Sequence, residues 1–147
     1  MASSSAASSD GTFLITEAGS LRLWGILILV SFVVTSVVGG SLTSESSYLP
    51  LMLGAHIGLA LLTLGLSSYA TSIIGRRYKS LPRVGAALSA AAALGATIGG
   101  TVFLLGGQSN GPLYAMEGFA VVGIAAALVM IVLGGPAGRY VVGASRT

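Results

Sequence analysis

The stretch Leu23–Leu42, LWGILILVSFVVTSVVGGSL, runs twenty residues without a charged side chain. At 1.5 Å of rise per residue, about 20 helical residues cross the roughly 30 Å hydrocarbon core of a bilayer. Three more stretches read the same way: Leu49–Ile74, Val84–Leu105 and Leu113–Leu133. Lipid has no water to pair with backbone N–H and C=O groups, so each stretch must satisfy them internally, as a helix. Turn chemistry separates the spans at Thr43–Ser47, Arg76–Pro82 and Gly106–Pro112, and Gly134–Pro136 follows the last. The predicted fold class is therefore all-α: an integral membrane four-helix bundle made of two helical hairpins. Trp24 and Tyr48 open the first two spans, where interfacial aromatics are expected. The expected organisation is a polar, mobile head over 1–22, a transmembrane domain over 23–135 and a tail over 136–147.

Composition agrees. Of 147 residues, 54% are hydrophobic and 7% charged, and the mean hydropathy is +0.93. A soluble domain covers its surface with about a quarter charged residues, so here lipid must take that place. The net charge of +3 reflects a shortage of acids. Lys and Arg do not cluster with aromatics, which argues against a nucleic-acid partner. There is no cysteine, which excludes disulfides, thiolate metal sites, iron–sulfur clusters and covalent c-type heme. No basic residue precedes Arg22, so the first residues make a poor secretory signal.

The basic residues set an orientation. Arg22 precedes the first span, Arg76, Arg77, Lys79 and Arg83 lie between the second and third, and Arg139 and Arg146 follow the fourth. All seven fall on one side, which the positive-inside rule makes cytoplasmic, together with both termini. The helices are rich in small residues, Gly54-x-x-x-Gly58 among them. In lipid such residues let backbones approach closely and supply the packing.

Sliding the chain against itself by 60 residues aligns Gly39–Gly40 with Gly99–Gly100, Gly58 with Gly118 and Ala60 with Ala120. Two such hairpins would pack about a pseudo-two-fold axis along the membrane normal. In that register His56, the single histidine, meets Met116. Both lie roughly 7–10 Å inside their helix starts at 1.5 Å per residue. An ionisable residue inside a span is a functional candidate, because its burial costs free energy unless it is partnered. Across the bundle at equal depth, His56 and Met116 suit the two axial positions of one heme iron, with Gly54, Gly58 and Gly118 leaving room for the porphyrin. The alternative for His56 is a neutral imidazole donating one hydrogen bond to a neighbouring helix. Met116 alone is ordinary core filler. Glu117 points about 100° away from Met116, either solvated at the interface or relaying protons near the site.

The Gly39–Thr43 stretch closing the first helix, His56 opening the second, the basic residues before the third and Gly99–Gly107 before the fourth together resemble one half of the heme A synthase family. Those enzymes consist of two four-helix halves, each with a histidine on its second and fourth helices. The resemblance covers Leu23–Leu133 and implies a compact, single-half form that binds heme b. The fourth-helix histidine falls at Met116, and the glutamate one turn before the catalytic half's second-helix histidine falls at Leu53. These departures favour the cofactor-holding half, which resembles a b-type cytochrome. No Arg or Lys lies on that side to meet heme propionates; Ser44, Ser46, Ser47, Tyr48, Gln108, Asn110 and Tyr114 are the side chains available.

Three functions follow as expectations. The first is a b-type cytochrome with His56 and Met116 as ligands, transferring electrons in or beside a respiratory complex. The second is a cofactor-free structural or accessory subunit, packing against other membrane subunits or copies of itself through small-residue faces. The third is a compact heme A synthase-like oxidoreductase. A channel or transporter is not expected, because no helix carries a row of polar residues and no acidic or basic ring is present to select ions. Ser67, Ser68, Thr71 and Ser72 read as packing or backbone-bonding hydroxyls. No nucleophile and base accompany His56, which argues against a hydrolase.

Overall fold

A computed structural model describes the backbone of residues 7–42, 49–78, 81–106 and 110–134, with side chains from residue 19 in the first segment and residue 50 in the second. Four helices make up the described chain: α1 (Ala7–Ser41), α2 (Leu49–Arg77), α3 (Leu81–Leu105) and α4 (Asn110–Leu133). Each contains a segment long and apolar enough to cross a membrane, which for α1 is Gly19–Ser41. Helix α1 thus begins inside the segment expected to be a mobile head, because a helix propagates more easily than it nucleates. Pro50, Pro82 and Pro112 all fall in first turns, where a missing N–H costs no intrahelical bond. The far ends are closed by Tyr78 N–H donating to Ile74 O at 2.8 Å, Gly106 N–H to Val102 O at 2.7 Å and Gly134 N–H to Met130 O at 2.9 Å. A Cβ on Gly106 would lie 2.7 Å from Val102 O, so this closure requires glycine.

The helices form a closed ring in chain order. α1 packs on α2 and α4, and α3 packs on α2 and α4, while the diagonal pairs barely touch. Neighbours run antiparallel: Trp24 meets Tyr69 edge-on at 5.6 Å, and Thr71 Oγ1 donates to Ala86 O at 2.8 Å. Arg22, Arg76, Arg77 and Arg83 consequently share one end of the bundle, called here the basic end. Tyr48, the second interfacial aromatic, lies outside the described residues.

Glycine makes the close contacts. A Cβ on Gly25 would lie 2.8 Å from Ile131 Cγ1, and one on Gly95 2.7 Å from Phe119 Cδ1. One on Gly123 would enter the Phe32 ring. Gly54, Gly58 and Gly118 behave differently from the packing role expected of them. All three are exposed, and a Cβ there would meet nothing within 4 Å. They face out of the bundle.

The interior divides by depth. Toward the basic end, Leu21, Ile28, Ile74 and Met130 are fully buried and fill the space with Ala70, Ala86 and Ala127. A row of inward hydroxyls runs along α2 at four-residue spacing, and Thr63 extends toward the middle of the helix the set already recognised at Ser67 and Thr71. Thr63 and Ser67 are buried and Thr71 is half-buried, one helical turn apart. Thr71 donates to the Ser67 and Ala86 carbonyls, as the packing role predicts. Ser67 Oγ is fully buried with no hydrogen-bond partner.

Two consequences follow for stability. Gly123→Ala and Gly95→Ala should each destabilise the bundle by about 1–3 kcal/mol through overpacking, read as a lower unfolding midpoint in detergent. Ser67→Ala should stabilise it by about 1 kcal/mol, since it removes a buried hydroxyl that lacks a partner.

Candidate functional site

Away from the basic end, glycine, alanine and threonine take many of the inward positions, and the bundle leaves a cavity of about 210 Å³. All four helices wall it. Thr35 and Gly39 come from α1, His56 and Thr63 from α2, Thr97 from α3, and Met116 and Glu117 from α4. The structure therefore brings His56 and Met116 to one cavity, from diagonally opposed helices. Gly54, Gly58 and Gly118 are not in its wall; Gly39 and Gly40 are. The physical reason is helical phase: Gly54 and Gly58 lie two residues either side of His56, about 200° around the helix.

His56 is half-buried, and its Nδ1 lies 3.1 Å from the Thr35 carbonyl oxygen. A carbonyl only accepts, so Nδ1 carries a proton, and in the neutral imidazole Nε2 then keeps its lone pair. This is the interhelical hydrogen bond that the alternative reading of His56 expected. Gly39 permits it. A Cβ there would sit 2.6 Å from His56 Cε1, so the ring rests on bare α1 backbone. Met116 packs on α3 less tightly: a Cβ on Gly99 would lie 3.4 Å from its Cβ, and one on Gly100 3.4 Å from its Sδ, near ordinary van der Waals contact. Glycines 60 residues apart thus seat the two side chains that the 60-residue register pairs.

The threonine hydroxyls in the wall are tied to backbone. Thr35 Oγ1 donates to Ser31 O at 2.7 Å, Thr63 Oγ1 to Leu59 O at 2.8 Å and Thr97 Oγ1 to Ala93 O at 2.8 Å. The Thr35 and Thr63 hydroxyl oxygens lie 3.1 Å apart and join α1 to α2. Glu117 is exposed and also borders the cavity, so it is neither wholly outside nor enclosed.

The fit of a heme divides along these lines. An imidazole held through Nδ1 with Nε2 free is how metal-bound histidines are oriented, and a thioether is an established axial partner. The enclosure suits a macrocycle less well. Its volume falls below the roughly 300–1,000 Å³ of drug-sized ligand sites. No basic residue is in the wall to meet propionates, and the charged residue that borders it, Glu117, is acidic. Among the described residues no group of three or more His, Cys, Asp or Glu could hold a metal ion.

No family model matches the chain, and neither a curated protein nor a solved structure does.

Gly39→Ala should push the imidazole off α1 and break its bond to the Thr35 carbonyl. Nitrogen-15 NMR of His56 should then lose the single Nδ1–H tautomer. Gly40→Ala, whose Cβ would meet open space, should keep it.

Proposed function

We propose that this chain is a small structural or accessory subunit of a larger membrane complex, seated against other transmembrane helices by the outward glycines of α2. The observation that carries this reading is the open space around Gly54, Gly58 and Gly65, all of them exposed. They lie within about 40° of one another around the helix. Glycine inside a helix costs about 1 kcal/mol relative to alanine. Gly25, Gly39, Gly85, Gly95, Gly99 and Gly123 meet neighbours within the bundle that account for them; these three do not. In lipid, such a face is what another helix packs against. Large apolar side chains such as Val37, Leu105 and Val121 cover much of the remaining outer surface. On this reading the basic end faces the cytoplasm, following the positive-inside rule, and both termini lie there. The two hairpins are related by a pseudo-two-fold axis, a relation supported by Gly39 beneath His56 and Gly99 beneath Met116.

The absence of cysteine makes the test direct. Leu61→Cys, on the glycine face, should cross-link to another polypeptide in native membranes. Gly58→Leu should abolish both that cross-link and co-purification of the partner, while Val121→Leu on α4 should leave them intact. Assembly that survives Gly58→Leu unchanged overturns the reading.

A second reading is a b-type cytochrome with His56 and Met116 as axial ligands, favoured by their sharing one cavity with His56 Nε2 free. Bound heme would supply one-electron transfer, and these side chains would hold the iron and bias its potential. The resemblance to the heme A synthase family, and a synthase-like activity with it, belongs to this reading. A Soret band and a reduced α-band lost on His56→Ala would establish it; a colourless protein from heme-replete membranes would retire it.

A further inference from the structure

We propose that the cavity binds the reduced, hydroquinone head group of a membrane quinol, and binds it in preference to the oxidised quinone. The inference goes beyond the subunit reading and depends on His56 Nε2 not being taken by an iron.

The ground is an inventory of protons in the cavity wall. The His56 Nδ1 proton goes to the Thr35 carbonyl. Thr35 and Thr63 have two hydroxyl protons for three contacts, namely the Ser31 and Leu59 carbonyls and each other. Neither has one left for a ligand. The Thr97 proton is used on the Ala93 carbonyl. Among the described side chains of the wall, only Ser36, an exposed residue, keeps a hydroxyl proton uncommitted. Against that single donor stand several acceptors on residues of the wall: Nε2 of a neutral His56, Glu117 and the remaining hydroxyl lone pairs. A ligand that satisfies this wall must bring donors.

The rest of the wall limits what kind of donor. Phe32, Ala60, Ala93, Ala96, Leu113 and Ala120 make it predominantly apolar, which favours an uncharged ligand over an ammonium ion. His56 and Glu117 belong to diagonally opposed helices, α2 and α4, so a ligand that meets both needs a donor at each of two ends of an apolar body. A volume of about 210 Å³ suits a single ring. Helices that span the bilayer place the cavity within reach of lipid-soluble molecules. A para-hydroquinone has this form: one apolar ring with an O–H at each of two opposite vertices. Its oxidised partner carries carbonyl oxygens there, and these would face the lone pairs of Nε2 and Glu117 without a proton between them. Iron and a quinol hydroxyl would compete for the same Nε2 lone pair.

The test uses the full-length protein in nanodiscs, titrated with tetramethylhydroquinone under reducing conditions and, separately, with tetramethylquinone. The expected result is saturable hydroquinone binding at least tenfold tighter than that of the quinone. Glu117→Gln, which keeps the side-chain shape, and His56→Ala should each weaken it about tenfold, with helicity checked by circular dichroism. Equal or tighter quinone binding, no binding of either form, or hydroquinone binding that survives both substitutions would overturn the proposal. So would an alkylammonium ion that displaces the hydroquinone and binds more tightly, or a Soret band from heme already ligated to His56. None of these outcomes bears on cross-linking through the α2 glycine face, so the two proposals fail separately.

Discussion

An apolar side chain gains little by leaving lipid for the side of another helix, so these four helices are joined where glycine lets a neighbour sit directly on backbone. Ile131 rests on Gly25, Phe32 on Gly123, Phe119 on Gly95 and His56 on Gly39. Each contact gains dispersion energy from close approach. The contacts involve three of the four helix pairs in the ring, while the Thr71 bond to the Ala86 carbonyl ties the fourth. Helix order, antiparallel packing and the position of the cavity all depend on these seats.

The same seats determine where polar groups can go. An imidazole in a span must find a partner or pay for its burial. His56 finds the Thr35 carbonyl only because Gly39 leaves α1 bare at that height. That single bond selects the Nδ1–H tautomer of the neutral ring, in which Nε2 is an acceptor. Toward the basic end, Leu21, Ile28, Ile74 and Met130 fill the interior instead. The cavity therefore reaches only part of the way through the bundle, and the hydroxyl row of α2 runs from its wall at Thr63 into closely packed structure at Ser67 and Thr71.

Glycines that look alike in the chain serve opposite faces. Gly39 and Gly99 seat side chains inside, while Gly54, Gly58 and Gly65 meet nothing within the bundle. A helix gives up stability wherever it carries glycine without a packing reason. The outward set thus suggests a neighbour on α2, and the inward set explains how a ring of apolar helices comes to hold a histidine.

The sequence by itself determined the number of helices and their approximate spans, because predominantly apolar stretches of bilayer length satisfy their backbone in lipid by forming helices. It also paired His56 with Met116, since a 60-residue register carries depth along with it. Facing was not legible in the same way. Every helix here is apolar on nearly all sides, so the contrast between a polar and an apolar face that orients a soluble helix is missing. Only the tertiary structure decided that Gly39 belongs to the cavity and Gly54, Gly58 and Gly118 do not. It alone aligned the hydroxyls of α1, α2 and α3 and assigned the His56 proton. Those outcomes depend on the rotation of each helix about its own axis, which close contact between neighbours settles and hydropathy does not.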